Sequence, residues 1–166
     1  MSEATQDIER LFRLAMRRFP GTVTVVTTTL DGADCGMTAT AVTSLSMDPP
    51  SLLVCVNRGT GFHSAIEQCD RFCVNVLREG QEDIASIFGG GKPPHERFGD
   101  GVWAHEDGIA YLKDAQANIF CRRAGLFQYG THTIVVGEAT ALLLHDELAP
   151  LIYVDGRYAA VAPSAG

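Results

Sequence analysis

The sequence predicts a mainly β protein, a closed or split antiparallel barrel with a few short helices at its edges. Three observations carry that expectation. Runs of strand length rich in Val, Thr and Ile recur along the chain and are joined mostly by hairpin-type turns. Regular strand–helix alternation is missing, and no glycine-rich turn directly follows the first strand, so a doubly wound sheet is not expected. At 166 residues, 46% hydrophobic and 20% charged, the chain is the size of one domain, 1–166, with enough apolar side chain to bury a core.

The elements follow in order. Ile8, Leu11, Phe12, Ala15, Met16 and Phe19 recur at helical spacing, with Thr5 as a candidate cap and Asp7 and Glu9 in the first turn. Pro20-Gly21 stops this amphipathic helix. Thr22 to Leu30 is β-branched and reads as a strand, Asp31-Gly32 as a hairpin turn, and Cys35 to Leu45 as the returning strand. Asp48-Pro49-Pro50 ends that strand because proline donates nothing to a ladder, and Leu52 to Val56 is the third. Thr60 is placed to cap a short helix from Gly61 to Cys69. Phe72 to Leu77 then reads as a strand and Glu82 to Phe88 as a helix. Gly89-Gly90-Gly91-Lys92-Pro93-Pro94 opens a long loop to Gly108 with one helical turn near Glu96, and Phe98 and Trp103 are expected to anchor it on the core. Ala115 to Arg123, His132 to Leu144 and Leu151 to Tyr158 complete the strands, with no internal repeat and no linker.

Composition excludes several functions. Thirteen Lys and Arg against twenty Asp and Glu leave a net charge of −7, the wrong sign for a nucleic-acid partner. Arg10, Arg13, Arg17 and Arg18 read as the solvated face of the first helix. No apolar run reaches the roughly 18 to 20 residues of a membrane helix, and the acidic start does not look like an export signal. The expected location is the cytoplasm. Cys35, Cys55, Cys69, Cys73 and Cys121 are odd in number and scattered through apolar segments, which suits reduced thiols used as small hydrophobes. Cys69 and Cys73 have no histidine at ligand spacing, so no metal is expected. Signatures of serine hydrolases, P-loop NTPases and zinc proteases are missing as well.

The informative run is Gly36-Met37-Thr38-Ala39-Thr40-Ala41-Val42-Thr43-Ser44-Leu45-Ser46. In a strand Thr38, Thr40 and Val42 face one way and Ala39, Ala41 and Thr43 the other, which sets hydroxyls beside small side chains. Such an edge admits a flat polar ring close to the backbone. From the residues alone, a plain strand and a ligand site both stay open.

The blocks CGMTATAVTSLSMDPPSLLVCVN, FCVNVL, HERF, YGTHTIVVGE and LIYVDGRY, in order from Phe12 to Tyr158, resemble the short-chain flavin reductases of two-component flavin-dependent monooxygenases. The resemblance is strongest to the reductase component of 4-hydroxyphenylacetate-type hydroxylases. It implies an FMN-binding split barrel, usually a homodimer, that uses NADH or NADPH to reduce FAD or FMN and passes the reduced flavin to a separate oxygenase. On this likeness Met37, Thr38, Ala39 and Thr40 form the flavin-binding strand, and Ser44 and Ser46 match the flavin-phosphate region. Cys55, Val56 and Asn57 fall near the flavin, with Arg58 as a cationic partner. His132, in Gly-Thr-His where many relatives read Gly-Asp-His, matches the histidine at the nicotinamide. Asp155, Gly156, Arg157 and Tyr158 match the segment that closes over the pyridine nucleotide, and Phe88 opens the loop that joins it.

Hydride transfer between two stacked rings needs no protein nucleophile, which accords with the missing catalytic signatures. His63, His95, His105 and His145 fall in loops or at element ends and are expected at the surface. Two other readings of the barrel stay open: a flavin- or haem-binding carrier without turnover, and a pyridoxamine-phosphate-oxidase-like enzyme. The residues do not separate FAD from FMN or NADH from NADPH.

Overall fold

Val25, Val26, Thr27 and Thr28 are all buried, so the strand that holds them is covered on both faces and its sequence runs apolar instead of alternating. A computed structural model, which describes residues 3–99 and 101–162, places them in β2 (Thr24–Leu30). Ahead of it lie α1 (Glu3–Met16) and the short β1 (Gly21–Thr22). The Asp31-Gly32 turn, both residues at positive φ, leads to β3 (Ala33–Ala39), and β4 (Val42–Met47) and β5 (Pro50–Asn57) follow. Then come α2 (Gly61–Gln68), β6 (Arg71–Val76), α3 (Glu82–Ser86), a π-turn over Ile87–Gly91 and a 3-10 turn over Pro94–Glu96. The remaining strands are β7 (Trp103–Glu106), β8 (Ile109–Leu112), β9 (Ala117–Tyr129), β10 (His132–Leu144), β11 (Ile152–Val154) and β12 (Arg157–Ala159).

Seven strands form one antiparallel sheet in the order β3-β2-β6-β9-β10-β5-β4. Its two edges, β3 and β4, are successive in the chain, so the sheet closes on itself through one bent strand. The predicted single strand Cys35 to Leu45 is therefore two strands, broken at Thr40–Ala41, where the Cys55 N–H donates to the Ala41 carbonyl at 3.0 Å. The bend is required because β3 pairs with β2 while β4 pairs with β5. Inside, Val26, Val54, Val56, Phe72, Val74 and Val135 form the main core, and α2 plugs one end with Phe62 and Ile66. A second core joins Val23, Val25, Leu77, Leu112 and Leu151 to Phe88.

Several expectations change in the structure. The predicted loop to Gly108 ends in β7 and the turn of the β7–β8 hairpin, built on Asp107-Gly108 with the same positive-φ pair as Asp31-Gly32. It is fastened to the barrel by buried Asn75, whose Oδ1 accepts from the Leu112 N–H at 2.8 Å and from Asn118 Nδ2 at 2.9 Å. Leu151 to Tyr158 is not one strand but the β11–β12 hairpin, turned at Asp155-Gly156. Glu82 to Phe88 is helical only to Ser86 and then widens into the π-turn. Thr60 stands at the N-cap position, yet its hydroxyl donates to the Asn57 carbonyl rather than capping α2. Thr5 lies inside the first turn of α1, not at its cap.

His63 is buried, not superficial, with Nε2 on Thr133 Oγ1 at 2.7 Å and Nδ1 facing Glu67 at 3.3 Å. His145 is half-buried against Arg78. The largest departure is α1, which ends at Met16 short of Phe19 and whose apolar face does not enter the core: Ile8 is 67% exposed and Phe12 61%. Of the five cysteines, Cys69, Cys73 and Cys121 are buried, whereas Cys35 and Cys55 are half-buried, and none forms a disulfide among the described residues. No helix of the described residues is long and apolar enough to cross a membrane.

Candidate active site

Strand β3 reaches the barrel rim carrying Thr38 and Ala39, and the hollow beside it has a floor of small residues. Cleft A, about 400 Å³, is lined by Val23, Thr38, Ala39, Thr40, Ala85, Ser86, Gly89, Gly91, Tyr153 and Tyr158. No floor side chain at Ala39, Ala85, Gly89 or Gly91 exceeds a methyl group, so a planar ring can approach the backbone. The Tyr153 and Tyr158 rings stand edge to face at 5.4 Å and form an aromatic flank. Thr38 ties the strand to α3 by donating its hydroxyl to the Ala85 carbonyl at 2.6 Å. Partial burial beside Tyr153 and Glu82 pushes the Tyr158 phenol above its ordinary pKa, so it stays a neutral hydrogen-bonding group.

Two further hollows adjoin. Cleft B, about 380 Å³, is separated from A by Gly89 and includes Cys35, Gly36, Met37, Thr60, Phe88 and Arg97 in its lining. Groove C, about 1050 Å³, shares Thr40 and Tyr153 with cleft A and runs under Phe12 and Met16 of α1 and Phe19 beyond it to Val42, Leu53 and Cys55. Gly21 is needed at the junction, because a Cβ there would lie 2.9 Å from the Thr40 Cβ.

The predicted site residues divide among these hollows. Thr38, Ala39, Thr40 and Tyr158 line cleft A, Met37 and Phe88 line B, and Thr40, Cys55, Asp155 and Gly156 line C. Phe88 is otherwise buried, packed on Phe98 and Trp103 at centroid distances of 5.0 and 5.1 Å, and both of these rings anchor the loop as expected. Val56 has no access to a ligand: the period of β5 turns Leu52, Val54 and Val56 into the barrel and Leu53 and Cys55 outward. Arg157 is exposed on β12 opposite Val154.

Ser44 is exposed and Ser46 half-buried on β4, and neither lines any of the three hollows; Ser46 Oγ donates to the Asp48 carbonyl at 3.0 Å and accepts the Asp48 N–H at 3.1 Å. His132, Asn57 and Arg58 form a separate exposed corner. There His132 pairs with Asn57 across the ladder, its Nδ1 meets Thr131 Oγ1 at 2.9 Å, and the Arg58 N–H donates to the Thr131 carbonyl. Within one chain His132 does not line the cleft beside Thr38.

Val23, Ala85, Ser86, Gly89, Gly91 and Tyr153 complete cleft A without having been expected. Tyr153 had a signal, since an Asp-Gly turn between two short strands sets it opposite Tyr158. Ala85 and the glycines had none, because small residues at a helix end are common everywhere. No group of three or more His, Cys, Asp or Glu that could hold a metal occurs among the described residues.

A family model described as "Flavin reductase like domain" matches residues 16–162. The chain belongs to the flavin reductase-like family. Among curated relatives of this family member, the reductase component of an FADH(2)-dependent resorcinol hydroxylase from Rhizobium sp. (strain MTP-10005) is 44% identical over 164 residues, 97% of this chain and 92% of that one. An FMN reductase (NADH), RutF 2, from Rhizobium rhizogenes is 38% identical over 96% of this chain and 93% of its own. Among solved structures, the flavin reductase PheA2 superposes with a TM-score of 0.85 at 34% identity, covering 98% of this chain and 100% of PheA2. The NADH:FAD oxidoreductase SgcE6 of Streptomyces globisporus, in complex with NAD and FAD fragments, gives 0.87 at 30% identity and 95% coverage of each chain. The split-barrel reading of the flavin reductase-like chain is thereby borne out.

Proposed function

We propose that this protein is an NAD(P)H-dependent flavin reductase that reduces FAD or FMN and releases it to a separate oxygenase component. The observation that carries the reading is cleft A, a small-residue floor beside the Met37–Thr40 strand with a tyrosine flank, in a chain matched to reductases over nearly its whole length. When both substrates are bound, the two rings supply the chemistry, hydride passing from nicotinamide to flavin. The protein's part is placement. Ala39 and the glycine turn let the rings approach the backbone, Tyr153 and Tyr158 flank them and limit water, and Asp155 to Tyr158 close from the C-terminal side.

In this reading Ser44, Ser46 and Arg58 meet the flavin phosphate, Cys55 and Asn57 border the flavin, and His132 orients the nicotinamide by hydrogen bonding. A homodimer accords with the exposed Leu142, Leu143 and Leu144 at the end of β10, with Met47, and with the apolar face of α1. Five unpaired thiols accord with a reducing cytoplasm. Whether the partner oxygenase hydroxylates an aromatic ring, as the resorcinol relative's name indicates for its own system, is decided by the partner.

The test is oxidation of NADH and of NADPH at 340 nm by flavin-free protein, with and without added FAD or FMN. Turnover saturating in free flavin is the expected result, and a flavin that stays bound without being reduced points to a carrier instead. His132→Ala is expected to raise the KM for pyridine nucleotide more than that for flavin. Equal effects on both would remove His132 from the nicotinamide. Sedimentation velocity checks the dimer.

A further inference from the structure

Within the HERF block, His95 and Glu96 face each other in solvent while Arg97 and Phe98 turn inward. Arg97 donates from Nε to the Lys92 carbonyl and from Nη1 to the Gly36 carbonyl, each at 3.0 Å. Lys92 ends the π-turn Ile87–Gly91 and Gly36 directly precedes Met37 on β3, so one guanidinium joins the outer wall of the cleft to the strand that forms its inner wall. The turn needs such a tie. Its three glycines are costly to order, Gly90 sits at φ 115°, and neither Gly89 nor Gly90 has a neighbour within reach of a Cβ. Phe88 anchors the start of the turn between Phe98 and Trp103, and its ring is pressed so closely on β3 that a Cβ on Gly36 would lie 2.6 Å from Phe88 Cε1. At the exit of the turn, the Lys92 N–H reaches the Ile87 carbonyl only at 3.4 Å.

We propose that Arg97 is a positioning residue for pyridine-nucleotide binding: by clasping Lys92 to Gly36 it holds Gly89 and Gly91 against cleft A. The inference rests on the reductase reading for its ligand, but the clasp itself does not. A fork of fixed donors spans two carbonyls at once, which a lysine ammonium on a flexible stem does not reproduce.

The experiment compares the full-length wild type with Arg97→Ala, Arg97→Lys and the surface control Glu96→Ala, with folding checked by melting temperature. Arg97→Ala is expected to raise the KM for NADH about tenfold with the KM for flavin changed less than about twofold, Arg97→Lys to fall between, and Glu96→Ala to match wild type. Trp103, the single tryptophan, reports the clasp independently, and its quenching by acrylamide should increase in Arg97→Ala. Unchanged KM values and unchanged quenching in a folded Arg97→Ala protein overturn the proposal. So does a proportional rise of both KM values with a lowered melting temperature, the signature of a general structural role. If the wild type itself oxidises no NADH, the reductase reading falls, and the Trp103 measurement alone still decides the clasp.

Discussion

The inner wall of cleft A belongs to the barrel, where Thr38 and Ala39 are backed by a sealed core and by buried Thr24, whose hydroxyl donates to the Ala39 carbonyl at 2.7 Å. The outer wall is made of the glycine turn, held through Phe88 and Arg97, and the β11–β12 hairpin, held by the short ladder to β1, by the Leu151 backbone bonds to Val23 and Leu77 and by one exposed ion pair. The same cleft thus has one side whose position is over-determined and another that a few contacts hold. A site that must admit two large substrates and release one of them is served by that division, because low local stability is confined to the side that moves.

The largest expected effect separates the two sides by pH. Burial raises the Cys121 thiol to about 12 and pushes Cys73, which also lies near Cys121, higher still, against 9.0 for a free thiol. Both groups keep their protons in the folded state after the unfolded chain has lost them. Their contribution is therefore complete below about pH 9 and falls as pH rises toward the folded values, each thiol removing on the order of 1.4 kcal/mol per pH unit. Urea midpoints measured from pH 8 upward should drop steeply above about pH 9, and Cys121→Ala should flatten the slope. A midpoint independent of pH through about pH 11 would mean that the barrel is more open than its packing indicates.

The next effect is local to the barrel. Asn75 is fully buried, donates to the Val25 carbonyl at 2.8 Å and accepts from Leu112 and Asn118. Asn75→Ala strands these partners and should cost about 4 kcal/mol in urea unfolding at an unchanged m-value. A loss under about 1 kcal/mol would show that the β7–β8 hairpin is not held through this side chain.

The sequence made the first side far more legible than the second. Period, β-branching and Asp-Gly turns exposed β2, β5, β6 and β10 because each obeys a local rule that burial reinforces. Two further Asp-Gly turns obey the same rule as Asp31-Gly32 but were not read as turns: Asp107-Gly108 sits in a stretch whose glycines and prolines masked it, and Asp155-Gly156 falls inside a short apolar run that reads as one strand. Met37 to Thr40 were legible through strand alternation and the family likeness, whereas Ala85, Gly89 and Gly91 were not, because what they contribute is the lack of a side chain. The exposure of α1 was hidden for another reason. A hydrophobic stripe states that a helix has a partner but does not say which surface supplies it.

A smaller effect compares one glycine from each side. At Gly137 in β10 a Cβ would overlap Phe72 Cζ and lie 2.9 Å from the Cys121 Cβ, so Gly137→Ala should destabilise by about 2 to 3 kcal/mol through overpacking. Gly89 has nothing within 4 Å of its Cβ position, and Gly89→Ala should leave stability within about 0.5 kcal/mol of wild type while raising the KM for substrate. Equal destabilisation by both would erase the distinction between the walls.

The smallest effect falls on the link between α1 and the hairpin. Arg17 Nε donates to Asp155 Oδ1 at 3.0 Å and Nη2 to the Asp155 carbonyl at 3.1 Å, while the Asp155 N–H returns to the Arg17 carbonyl at 2.9 Å. Both side chains are more than half exposed, so the pair is screened and its net contribution to global stability is small. Its leverage lies elsewhere: it fixes the Asp155-Gly156 turn, which lies beyond the Gly21–Tyr153 and Thr22–Ile152 pairs of the β1–β11 ladder and leads into Tyr158. Arg17→Ala should therefore leave the melting temperature nearly unchanged and raise the KM for NADH about twofold, and added salt should produce part of the same rise in the wild type but none in the variant. A salt response that survives in Arg17→Ala would assign it to direct screening of the nucleotide phosphates, and the hairpin would then owe its position to the β1–β11 ladder and the Leu151 backbone bonds.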